Sequence, residues 1–155
     1  MNSLYTLSHQ LLNLGMDGTP IYSDHFARLN REVYEQALEL HDIQKGNTLE
    51  QEAELCLSML IAFNATIYDN GRKQQYIQEI LDRSWEVLPK LSPSLLKVRL
   101  LTYCYGEVYE EELAEEARAI INTWKKTELA LGEVEIIEEL SNFEEHQYPW
   151  VEVKE

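Results

Sequence analysis

The sequence predicts an all-α fold of about seven helices arranged as stacked helical hairpins, and three observations predict it. Apolar residues recur at helical spacing along most of the chain. Cap and stop residues punctuate that pattern at helix-length intervals. Two stretches stand out: Leu55 to Tyr68 leaves no polar face and Leu95 to Tyr105 is largely apolar, as helices covered by others must be.

The chain is organised around the first of these stretches. Thr48 with Gln51 three residues on is a capping box, in which the hydroxyl takes one orphan amide and the glutamine reaches back to another. Asn70 and Gly71 supply a left-handed stop, which predicts a hub helix of about five turns, about 30 Å long. Before it, Ser3 caps a first helix with Leu4, Leu7, Leu11 and Leu14 in one stripe and Gly15 as its end. A loop of turn formers follows from Gly15 to Tyr22. Ser23 caps a second helix, with Asp24 complementing the dipole and Phe26, Leu29, Val33, Ala37 and Leu40 facing inward until near His41. Asp42 to Asn47 reads as a polar turn into the hub.

After Gly71 a fourth helix sets Tyr76, Ile77, Ile80, Leu81, Trp85 and Leu88 on one side and ends at Pro89. Ser92-Pro93, a cap followed by proline at the first helical position, opens the second apolar helix, which Gly106 interrupts. A sixth helix turns Leu113, Ala117, Ile120, Ile121 and Trp124 inward; a seventh does so with Leu129, Val134, Ile137, Leu140 and Phe143. The tail His146 to Glu155 leaves helical geometry at the residue before Pro149. Tyr68-Asp-Asn-Gly71 and Tyr103-Cys-Tyr-Gly106 share Tyr-x-x-Gly at a spacing of 35, a period compatible with a tetratricopeptide-like array.

With 155 residues, the chain is expected to form one domain over 1–155 with 146–155 as its tail. Cys56 and Cys104 sit within apolar runs and read as buried, reduced thiols. The N-terminus lacks a basic start with an apolar block, and no apolar run is long enough to span a bilayer; the expected location is therefore cytoplasmic, without membrane association. The 13 basic against 28 acidic residues give a net charge of -15, which repels phosphate backbones and excludes direct nucleic-acid binding as a leading reading. The charge is lopsided, with 15 glutamates against 4 bases from Glu107 onward. That third is either a solvated helical surface or a docking face that steers a basic partner toward it.

Catalytic and metal chemistry find no support. His9, His25, His41 and His146 are scattered, and none follows a glutamate at the Glu-x-x-His spacing. Asp17-Gly18-Thr19 matches the end of a phosphatase motif but follows a predicted helix instead of a strand and lacks the first aspartate. No nucleophile elbow, phosphate loop or dinucleotide fingerprint occurs. The expectation is a chain without enzymatic activity, cofactor, metal or small-molecule ligand. Candidate binding residues are the glutamates Glu111, Glu112, Glu115 and Glu116 on the sixth helix, Tyr22 in the first loop, and Tyr148, Pro149 and Trp150 in the tail. A free tail could add a strand to a partner's sheet edge.

Five segments taken together carry a resemblance. Met16-Asp-Gly-Thr-Pro-Ile-Tyr-Ser-Asp24, Asn64-Ala-Thr-Ile-Tyr-Asp-Asn-Gly71, Leu81-Asp-Arg-Ser-Trp-Glu-Val-Leu88, Leu100-Leu-Thr-Tyr-Cys-Tyr-Gly-Glu-Val-Tyr109 and Tyr148-Pro-Trp150 are similar, in the same order, to the UpxZ family of transcription antitermination antagonists. Residues 41–48 and 125–135 match little. The resemblance implies a regulator of capsular polysaccharide operons that acts in trans on NusG-like (UpxY-type) antiterminators by protein–protein interaction. A generic helical-repeat adaptor that holds a peptide in a groove is the competing class.

Overall fold

The computed structural model describes residues 24–43, 46–66 and 71–145, and among them every regular element is helical. The helices are α1 (Asp24–Ile43), α2 (Leu49–Ala65), α3 (Lys73–Val87), α4 (Leu95–Val108), α5 (Glu111–Ile121) and α6 (Leu131–Glu145), with a single 3-10 turn, Leu88–Lys90, after α3. The all-α expectation is met. The first predicted helix, its loop with Tyr22, and the tail with Tyr148, Pro149 and Trp150 lie outside the described residues. The chain divides into two compact units, with the boundary between Lys90 and Leu91.

In the first unit, α1 and α3 both pack on α2. The Thr48 cap at its start is present, Gln51 N–H donating to Thr48 Oγ1 at 3.1 Å, while the Gln51 side chain reaches back one residue beyond the cap and accepts from Asn47 N–H at 2.9 Å. The helix ends earlier than Gly71. Thr66 is extended, at φ -89° and ψ 145°, while its N–H and hydroxyl donate to the Ala62 and Phe63 carbonyls. Seventeen residues make α2 about 26 Å long. Gly71 does have a positive φ of 93°, but it serves the approach to α3. Leu29, Val33, Ala37 and the unanticipated Tyr34 form the buried face of α1. Tyr34 meets Phe63 edge-on at 5.5 Å, Phe63 stacks on Tyr76 at 5.9 Å, and these rings join all three helices.

Toward the other end of α2 lies a polar cluster that no sequence pattern announced. Glu52 on α2 accepts from Arg83 Nε at 2.6 Å and from its terminal nitrogen at 2.8 Å, which ties α2 to α3 through both carboxylate oxygens. Gly46 N–H donates to the same carboxylate at 3.0 Å, fixing the connection that enters α2. Cys56 lies one turn further along, and burial pushes its thiol up to about 11, with Ser84 and Arg83 pulling the other way. Unfolding therefore lets this thiol ionise at lower pH, so its contribution to stability is intact below pH 9 and lost as pH rises through about 11. An alkylating reagent at pH 8 is expected to leave Cys56 unmodified until the chain is unfolded by denaturant, as read by peptide mass.

The second unit repeats the scheme, with α5 and α6 both packed on the apolar α4. Its cap is Ser94 and not Ser92: Lys97 N–H donates to Ser94 Oγ at 3.2 Å, so Pro93 precedes the cap. Gly106 does not interrupt the helix, which runs on to Val108 and closes on Tyr109 in the left-handed region at φ 54°. The glycine is required by a neighbour, since a Cβ at position 106 would lie 2.8 Å from the Phe143 ring of α6. The two Tyr-x-x-Gly glycines are thus not equivalent positions. Gly106→Ala is expected to be stabilising by about 1 kcal/mol in a Phe143→Ala background, where helix propensity alone acts, and to lose that gain when Phe143 is present. Paired denaturant melts of the four proteins in this cycle check it.

Candidate protein-binding surface

Helix α5 is built to show carboxylates on one side. Ala114, Ala117, Ile120 and Ile121 are buried, and the glutamates that share the helix with them, Glu111, Glu112, Glu115 and Glu116, are turned outward and all four are exposed. Glu111 and Glu112 occupy the first turn, where negative charge complements the helix dipole. Those carboxylates therefore serve folding as well as the surface field. From 111 to 116 the row is about 8 Å long.

The four are not alike. Glu116 Oε2 lies 2.9 Å from the ammonium of Lys97, which is buried in α4 and also donates to the Leu91 carbonyl at 3.3 Å. A buried ammonium needs a counterion, and Glu116 supplies it. Glu111, Glu112 and Glu115 make no ion pair among the described residues, which leaves them available to a partner. Glu116→Lys is expected to cost about 2 kcal/mol of stability, because it sets a second cation against a buried one. Glu115→Lys, one residue earlier and outward, is expected to leave the denaturation midpoint unchanged. Urea titration of the two variants separates the roles.

Helix α6 extends the acidic surface within this unit, with six glutamates and no lysine or arginine. Arg118 of α5 donates to Ser141 at 3.1 Å and to Glu144, fastening the two helices where their last turns meet. Glu139 is half-buried, and burial raises its carboxyl against a counteracting hydrogen bond from Tyr103. The expected inward stripe of α6 is displaced. Ile136 and Leu140 are buried, whereas Val134 is exposed and Leu129 precedes the helix. Gly132 lies against the side chains of Arg99 and Leu95 of α4.

The arrangement offers a charged helical surface. No group of three His, Cys, Asp or Glu side chains that could hold a metal is found among the described residues. Nor is any described helix long and apolar enough to cross a membrane. Sequence reasoning found the outward glutamates from their spacing but missed Lys97, whose only signal was a lone lysine inside an apolar helix.

Comparison with known proteins gives the surface its context. No curated protein matches the chain. Among solved structures, the crystal structure of a transcription anti-terminator antagonist UpxZ from Bacteroides uniformis ATCC 8492 is similar with a TM-score of 0.81 and 47% identity, over 95% of this chain and 96% of that one. Residues 1–106 match the model of the UpxZ family of transcription anti-terminator antagonists. By that match, over more than half its length, and by its likeness to a solved member, the chain belongs to the UpxZ family of transcription anti-terminator antagonists.

Proposed function

We propose that this antagonist acts in trans on NusG-like, UpxY-type antiterminators made by other capsular polysaccharide operons, and that it does so in the cytoplasm by direct protein–protein contact. The observation that carries the contact mode is the row of outward carboxylates Glu111, Glu112 and Glu115 on a helix whose opposite side is buried. A basic face on the antiterminator would be steered to that row and held off polymerase or RNA while it is engaged. Acidity favours this over binding to the transcript, since a chain of net charge -15 repels phosphate. Tyr22 and the Tyr148-Pro149-Trp150 segment are proposed as further contact residues on their aromatic chemistry.

The test is a Glu111→Lys, Glu112→Lys, Glu115→Lys triple variant that keeps Glu116 with Lys97. Its affinity for a purified UpxY-type antiterminator is expected to fall at least tenfold, with a shallower dependence on salt than the wild type. Equal affinity and equal salt slope in a folded triple variant would discard the α5 row as the contact. Truncation after Glu145 reads the tail separately, through retention or loss of binding.

A further inference from the structure

The outer face of α6 carries a leucine that is largely open to solvent and a valine that is partly so. Leu131 is 75% exposed and Val134 is 37% exposed, whereas Ile136 and Leu140 of the same helix are buried. Gly132 lies between them. Its missing side chain lets the start of α6 lie against Arg99 and Leu95, where a Cβ would come within 2.8 Å of the guanidinium. With Gly132 seated inward, Leu131 and Val134 face away from α4.

Carboxylates accompany these two residues along the helix. Of the six glutamates on α6, Glu133 accepts from Ala130 N–H at 2.8 Å, Glu144 is held by Arg118, and Glu139 is half-buried. Glu135, Glu138 and, at the far end of the helix, Glu145 remain exposed and make no ion pair among the described residues. Leu131, Glu135 and Glu138 follow at i, i+4 and i+7, so they share a stripe about 10 Å long.

We propose that this stripe is a second docking element of the antagonist, and that it takes a basic segment of the antiterminator bearing one apolar side chain. The apolar residue covers Leu131 and Val134, and cations within one to two helical turns of it meet Glu135 and Glu138. This inference rests on the proposed antiterminator partner and deepens it. An all-acidic row would accept any cationic surface, whereas an apolar anchor beside it demands a particular spacing of apolar and basic groups. The α5 row then supplies long-range attraction, and the α6 stripe supplies residence time.

A Leu131→Glu, Val134→Gln variant tests it, because position 131 opens the helix, where a carboxylate suits the dipole and folding is preserved. Binding to a purified UpxY-type antiterminator is measured by surface plasmon resonance beside wild type, with thermal melts of both. The expected result is an unchanged melting temperature and a dissociation rate at least tenfold faster, with the association rate within about threefold. Equal dissociation rates in a folded variant would overturn the α6 anchor and leave the antiterminator reading intact. A wild-type chain that binds no such antiterminator would overturn both. If the variant melts lower, Leu131→Gln alone carries the decision by the same rate criterion.

Discussion

Gly46→Ala is expected to destabilise the protein by about 3 kcal/mol, out of proportion to a single methyl group on a surface connection. A Cβ at this position would lie 2.2 Å from the Glu52 backbone nitrogen and 2.5 Å from its Cα. Both atoms belong to the first turn of α2, whose hydrogen bonds and Thr48 cap hold it in place, so the connection itself must move. Moving it breaks the bond from Gly46 N–H to the Glu52 carboxylate and loosens the side chain that Arg83 holds. Gly71→Ala provides the contrast. There φ is 93° but, chain neighbours aside, no atom of the described residues lies within 4 Å of the added carbon, so backbone strain of about 1 kcal/mol is expected. Chemical denaturation of the two variants should show Gly46→Ala as clearly the worse. Comparable losses would mean that the close approach at Gly46 is relaxed at little cost.

The same contrast explains which parts of the fold were legible in the sequence. Features set by bonds between near neighbours could be read: the Thr48 cap works over three residues, and the apolar faces of α1 and α3 follow from helical spacing alone. Features set by a distant residue could not. Gly106 looked like a stop because glycine ends many helices, yet its role is to admit Phe143, which lies 37 residues further on. Glycine at 71 looked like the end of the hub, but Thr66 had already ended it through its own hydroxyl and an extended backbone. The predicted surface divides the same way. Spacing turned the four glutamates of α5 outward, and only the packing of α4 revealed that Glu116 is held by Lys97. On α6 the expected inward stripe included Val134, which is 37% exposed, and passed over Leu131, which is 75% exposed.

Arg83→Ala is expected to cost about 2 to 3 kcal/mol and to act on the whole first unit. Its guanidinium reaches both oxygens of Glu52, and both side chains are largely withdrawn from water, at 16% and 20% exposure. Removing the cation takes both charge-assisted bonds from a carboxylate that the Gly46 amide, a neutral donor, also holds. Arg83→Lys is expected to recover less than half of the loss, since one ammonium cannot supply two parallel donors to a carboxylate. Glu52→Gln with Arg83→Ala is expected to be less damaging than the two single losses added together, because no unpaired charge remains buried in the double variant. Urea denaturation of the full cycle measures the coupling. Additive losses would show that the pair contributes no mutual stabilisation. A subadditive loss, together with an unaltered affinity of Arg83→Lys for antiterminator, would place this ion pair in the scaffold and leave recognition to the acidic helices α5 and α6.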